Sequence, residues 1–339
     1  MAPPMKPLAS IQYLRGLAAL AVVAFHAFQW GDGGFDVGRA GVDVFFVISG
    51  VIMWRVTAER ETAPLAFLWR RLTRVAPLYW LLTAVVGAVA LAWPAFLPNV
   101  HPGWKPLLLS LAFIPHFDPA GLPFPLLPPG WTLNYEAIFY VVVAATLLAP
   151  RANRAWLIAG ALFVIVAAGV VLADPAYILG ANPLLLEFAA GVAVAALADR
   201  RALPGRRWSW RLIAAGLAAL AIPAALGLFN ELWRPLIWGL PAMLIVAGAL
   251  GLEQSGGAGR SPALMALGDA SYSIYLIHLP ASAVVAHILG INPPWLFIPA
   301  AIAASTLAGL ACHRWVERPL IRWTRTLGAR AERQAEAAA

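Results

Sequence analysis

Arg15 and His26 stand eleven positions apart in the run "YLRGLAALAVVAFHAFQW", residues 13–30, and both are costly in so apolar a segment. A charged side chain at membrane depth is tolerated where it faces a polar interior or cavity, so such a pair is a functional candidate. The available chemistry is that of an imidazole, which can take a proton or an acyl group, and of a guanidinium, which can hold an anion. Two carboxylates enter later apolar runs at comparable depth, Asp43 in "GVDVFFVISG" and Glu136 in "GWTLNYEAIFY". A carboxylate beside a histidine fixes its tautomer and raises its basicity, as a general base requires. Asp43 equally suits a helix N-terminal acid complementing the macrodipole. Glu187 is a further acidic candidate from the same side.

A second group is basic. In "FLWRRLTRVAPLYW" Arg70, Arg71 and Arg74 cluster before an apolar run, and the spacing of three puts Arg71 and Arg74 on one helical face. Two guanidiniums so placed can clamp phosphate oxygens in bidentate fashion, or can simply anchor a span and attract anionic lipid. Near the C-terminus "SYSIYLIHLP" places His278 inside another apolar run, where it can line a cavity or bond a neighbouring helix. His101 and His116 lack metal-ligand spacing, so no metal site is expected. Nucleophile elbow, phosphate-binding glycine loop and metalloprotease helix motifs are all missing.

The elements that position these groups follow from composition. Of 339 residues, 61% are hydrophobic and 12% charged, and the mean hydropathy of +0.76 lies outside the range of soluble domains. Apolar runs near the length needed to cross a bilayer occur at 11–29, 40–54, 76–93, 132–149, 156–173, 183–198, 212–229, 235–251, 271–289 and 295–313. The expected fold is therefore an all-α integral membrane protein, a polytopic bundle of about ten transmembrane helices. Residues 107–115 are too short to span and read as an interfacial or re-entrant piece. The first apolar run is long enough to stay as an anchor, and strand-type alternation is lacking.

Charge sets the expected orientation. Most arginines fall in loops on one side, leaving Arg39, Lys105 and Arg234 on the other, so the positive-inside rule puts both termini in the cytoplasm and favours an even number of spans. The net charge of +8 thus belongs to topology, and no nucleic-acid partner is expected. The single cysteine, Cys312, permits no disulfide framework within the chain. Residues 94–130 form a long outer segment whose prolines forbid a regular helix, readable as a functional loop or as a spacer held at the interface by Trp93, Trp104 and Trp131.

On a helix, eleven positions turn through three full turns plus about 20° and rise about 16 Å. Arg15 and His26 therefore share one face, with Gln12 and Gln29 in the same arc. Such a stripe should face a cavity or the bundle interior.

The order and placement of Arg15 with ten residues before His26, "GVDVFFVISG", "RRLTR", "WTLNYEAIFY", "SYSIYLIHLP" and the tail "VERPLIRW" resemble the acyltransferase-3 family of bacterial membrane O-acyltransferases over nearly the whole chain. The "WTLNYE" form is nearest to the exopolysaccharide-production type of acetyltransferase. The resemblance implies one acyltransferase domain over 1–325 with a short tail over 326–339, a cytoplasmic acyl donor, usually acetyl-CoA, and a carbohydrate hydroxyl as acceptor. It implies residence in the bacterial inner membrane and no permanently bound cofactor. By motif match His26 is catalytic, with Asp43 and Glu136 as recurrent partners; Arg15, Arg70, Arg71 and Arg74 fall to donor binding. Ser49, Trp131, Asn134, Tyr135 and His278 fall to support or cavity lining. A transporter or flippase of a polysaccharide intermediate is the competing class; it predicts mid-span helix breaks and internal symmetry, and neither is evident, although Pro223 and Pro241 fall within spans.

Overall fold

The computed structural model describes residues 8–31, 33–58, 63–172, 179–228, 230, 232–324 and 326. Among them no strand occurs, and the helices are α1 (Ala9–Gly31), α2 (Gly41–Ala58), α3 (Pro64–Ala92), α4 (Trp104–Leu111), α5 (Trp131–Thr146), α6 (Arg151–Leu172), α7 (Leu185–Asp199), α8 (Arg206–Ala225), α9 (Leu240–Gln254), α10 (Pro262–Leu289) and α11 (Pro294–Cys312). Eight helical segments among the described residues are long and apolar enough to cross a membrane. Two further expected spans are helical but short, α5 with 16 residues and α7 with 15. The protein is an all-helical, multi-pass membrane protein.

Burial ranks the helices. The apolar stretch of the segment 36–58, which contains α2, is 78% buried within the protein, against 17% for α8. α2 is the central helix and α8 is a rim helix. Because apolar lipid offers no hydrophobic drive for helix association, close backbone approach must hold such a bundle together. Gly50 on α2 and Gly191 on α7 supply it: a Cβ on Gly191 would meet the Val47 carbonyl, and one on Gly50 the Phe188 carbonyl. Gly268 does the same for α10 against Gln12 of α1. Between α2, α5 and α7 the rings of Phe46, Phe139 and Phe188 stack with centroids 4.6 and 4.5 Å apart.

Three helices run longer than apolar runs alone indicate. α3 begins at Pro64, nearly two turns before the arginines, so Arg70, Arg71 and Arg74 are helical residues and not a loop cluster. Proline suits the first turn because its missing N–H would be unpaired there. α10 begins at Pro262, with the Ser261 hydroxyl accepting from the Leu264 N–H at 3.4 Å. α11 continues through a π-turn, His313–Glu317, to Thr324. The tail motif "VERPLIRW" is thus the C-terminal end of a helical segment.

The segment 94–130 is neither helical throughout nor detached. α4 has eight residues, too few to span, and the Ser110 hydroxyl accepts from the Leu126 N–H at 2.9 Å while Trp80 Nε1–H donates to the Leu111 carbonyl at 2.8 Å. The first bond closes the segment on itself, and the second holds it against the middle of α3. Apart from residue 326, the tail expected over 326–339 lies outside the described residues.

Candidate functional site: an arginine-lined cavity below a histidine pair

α1, α2, α3, α5 and α10 enclose a cavity of about 180 Å³ whose polar lining is Arg15, Ser49, Arg71, Arg74, Glu136 and Tyr140, together with Thr132, Ser271, Tyr272 and Tyr275. Three guanidiniums thus reach one space from two helices. Arg74 is paired with Glu317 of the π-turn. Glu317 is held further by the Ser273 hydroxyl and by His313 Nδ1, both at 2.7 Å. The other two arginines keep donors for a ligand: Arg15 donates only to Gln12 at 3.2 Å, and Arg71 Nε is buried without a hydrogen-bond partner. Neither forms an ion pair among the described residues. A buried, unpaired guanidinium is expensive, and an anion is its natural complement.

Glu136 faces the same cavity but is committed differently. Its Oε1 accepts from the Ser49 hydroxyl at 2.9 Å and from the Tyr140 hydroxyl at 2.5 Å. Two donors on one oxygen fix the carboxylate at the centre of the cavity wall, and its other oxygen stays free to accept. Ser49 takes its expected supporting place. Arg70, expected with Arg71 and Arg74, is exposed and does not line the cavity, because one residue on a helix turns the side chain about 100° away.

An apolar groove of about 500 Å³ runs between α3 and α5 beside the cavity, its walls including Leu65, Trp69 and Val141. The two spaces meet along Arg71, Val75, Leu133, Glu136 and Tyr140. Leu65 and Trp69 are 80% and 54% exposed on the protein's outside, so the groove opens laterally.

His26 lies further along α1 and is not in the cavity lining. It is partly exposed, and its neighbour is His278, with ring centroids 4.8 Å apart. Between this pair and the cavity stands Tyr275, whose ring lies 5.8 Å from that of His278 and 5.8 Å, edge on, from that of Phe45. The polar stripe of α1 therefore has Arg15 in the cavity lining and His26 beyond it, on the far side of Tyr275.

The carboxylates expected to orient His26 have other partners. Asp43 is fully buried in the first turn of α2 and takes two bonds from Arg234, Nε to Oδ1 at 3.0 Å and Nη2 to Oδ2 at 2.9 Å. Glu187 packs beside them against Gly239 and is 2% exposed. Glu136 belongs to the cavity. Among the described residues the bonding partners of His26 are the Val22 carbonyl and His278. Trp131 and Tyr135 pack edge on against Phe46, at 6.4 and 6.3 Å, and so support α2 without lining the cavity. Asn134 is 4% exposed, with its Oδ1 unpartnered.

Arg234 and Glu317 were not among the expected site residues, because their partners lie 191 and 243 positions away. Each left a faint trace: Arg234 is a rare basic residue on a side otherwise poor in them, and Glu317 follows His313 at helical spacing. Tyr140, four residues after Glu136, was within reach of the same spacing argument.

Comparison with known proteins agrees with these motifs. The family model described as "Acyltransferase domain" matches residues 8–314. The chain is 39% identical over 305 residues to the exopolysaccharide production protein ExoZ of Rhizobium meliloti (strain 1021), covering 88% of this chain and 94% of that one. It is 29% identical to the putative membrane-bound transacylase BcsY of Komagataeibacter xylinus, covering 91% and 81%. A shorter similarity, 32% over 156 residues, links 41% of the chain to 24% of the peptidoglycan O-acetyltransferase OatA of Listeria monocytogenes. No solved structure matches. Since the family match runs from the start of α1 to the turn beyond α11, and so takes in both the cavity and the histidine pair, this chain belongs to the acyltransferase-3 family of membrane acyltransferases.

Proposed function

We propose that this protein is a membrane O-acyltransferase that moves an acyl group, acetyl in the first instance, from cytoplasmic acyl-CoA to a hydroxyl of an exported polysaccharide or its lipid-linked precursor. The observation that carries the proposal is the convergence of Arg15, Arg71 and Arg74 on one cavity, with two of the three lacking a carboxylate partner among the described residues, beneath a histidine on the same helix as Arg15. An anionic donor suits that cavity, and the names of the similar proteins supply the carbohydrate context.

In this reading the bundle has ten crossings, α5 and α7 included, with both termini in the cytoplasm of a bacterial inner membrane. The arginines then lie toward the cytoplasm and His26 toward the outside. Phosphates of the donor meet Arg71 and Arg74, its pantetheine arm follows the polar face of α1, and the thioester reaches His26 past Tyr275. His26 takes the proton of the acceptor hydroxyl as the oxygen attacks the thioester carbon. The carbon–sulfur bond then breaks, and the thiolate leaves with that proton as a thiol. If His26 instead carries the acyl group transiently, the imidazole nitrogen attacks first and the hydroxyl second.

The test is His26→Ala, expressed and inserted normally, with acetyl groups on cellular glycans measured by mass spectrometry. The expected result is loss of acetylation by about 10²-fold to 10⁴-fold, the range general base catalysis contributes. Parental acetylation by that variant would refute the assignment.

A further inference from the structure

We propose that His278 is a positioning residue: it fixes the tautomer of His26 and leaves Nε2 of His26 as the reacting nitrogen. The inference rests on the reading of His26 as the catalytic imidazole, and adds which of its nitrogens acts and what holds it there. Nδ1 of His278 lies 2.6 Å from the Tyr275 carbonyl oxygen. A carbonyl only accepts, so that nitrogen carries the ring proton, and Nε2 of the neutral ring is an acceptor. This Nε2 lies 3.2 Å from Nδ1 of His26.

The carbonyl oxygen of Val22, one turn earlier on α1, lies 3.0 Å from the same Nδ1 of His26. Two acceptors thus face one nitrogen, and both require a proton on it. A single N–H shared between two acceptors is a common arrangement on helices. The lone pair of His26 is left on Nε2.

His278 is itself immobilised. It is 1% exposed, the Ser305 hydroxyl donates to its carbonyl at 3.2 Å, and the Ser282 and Ser305 hydroxyls, 3.3 Å apart, tie α10 to α11 at that level. A neutral imidazole here takes the role expected of Asp43 or Glu136. It orients the catalytic ring without a second buried charge. The chain of hydrogen bonds ends at the Tyr275 carbonyl, which accepts a hydrogen bond but does not take up the proton. A proton gained at Nε2 of His26 therefore stays on that ring until the departing thiolate removes it.

The experiment compares His278→Leu, which deletes the acceptor, with His278→Gln, whose amide oxygen can stand near the place of Nε2. His278→Leu is expected to lose about 10-fold to 100-fold in kcat with the KM for acetyl-CoA changed less than about twofold, and His278→Gln to recover most of the loss. Nitrogen-15 spectra of histidine-labelled parent protein, assigned by subtracting His26→Gln, should show His26 protonated on Nδ1 and bare on Nε2. Parental kcat in His278→Leu, or a proton on Nε2 of neutral His26, would overturn the proposal. Full activity in His26→Ala would overturn the reading beneath it. Where the variants do not fold, the parent spectrum decides alone.

Discussion

Two faces of α2 meet charge under opposite regimes. On one, Asp43 and Arg234 bond each other through two contacts. On the opposite one, from Val42 to Met53, the helix borders a space where, among the described residues, Arg15 and Arg71 have no carboxylate partner and Glu136 is held by hydroxyls. A satisfied pair in low dielectric is a brace: it costs desolvation, fixes geometry and has little left for a ligand. An unsatisfied charge in the same dielectric is an unfilled requirement, which a substrate of opposite sign can meet. Burial alone does not separate function from structure here. The bonding capacity left over does.

The largest expected effect is on the brace. Asp43→Asn removes the carboxylate that takes two bonds from the buried Arg234 guanidinium, leaving Glu187 as the acid beside it, and is expected to cost about 3–5 kcal/mol of stability with donor affinity of the folded protein unchanged. Thermal unfolding in detergent, paired with acetyl-CoA titration, checks it; weakened donor binding without destabilisation would move Asp43 into the site. Next comes Arg71→Ala, which should weaken acetyl-CoA binding by about 10-fold to 100-fold, equivalent to about 1.5–3 kcal/mol, without lowering stability. Calorimetric titration reads the first half and unfolding the second. The smallest effect belongs to Arg70→Ala, which should stay within about 0.5 kcal/mol on both measures because its side chain points away from the cavity. A donor-binding defect in Arg70→Ala equal to that of Arg71→Ala would turn the clamp into a diffuse basic surface.

Much of this was legible in the sequence, and for a definite reason. Helical periodicity is a local property, so the shared face of Arg15 and His26, the pairing of Arg71 with Arg74, and the apolar runs could be counted directly. What periodicity does not carry is which face meets which. Asp43 and His26 were matched by depth, yet Arg234 takes Asp43 and His278 takes His26. Depth is one coordinate, and bonding also needs the azimuth of each helix in the bundle. The start of α3 was missed for a related reason: three arginines dilute the hydropathy of its first turns although Pro64 and the leucines around them favour helix. The partition between cavity and histidine pair had no sequence signal, since nothing local to Phe45 or Tyr275 shows that their rings meet.

That partition bears on the membrane as well as on the reaction. A polar shaft open from Arg15 to His26 would be a water wire through the bundle, and protons and small ions would run down it, discharging the gradient the cell maintains. Apolar constrictions stop such conduction by shedding water. The edge-on contact of Phe45 with Tyr275, 5.8 Å between ring centroids, sets two aromatic rings at the edge of the cavity nearest His278. Rings so placed supply the apolar barrier that would let the polar face of α1 run through the bundle without becoming a path for ions.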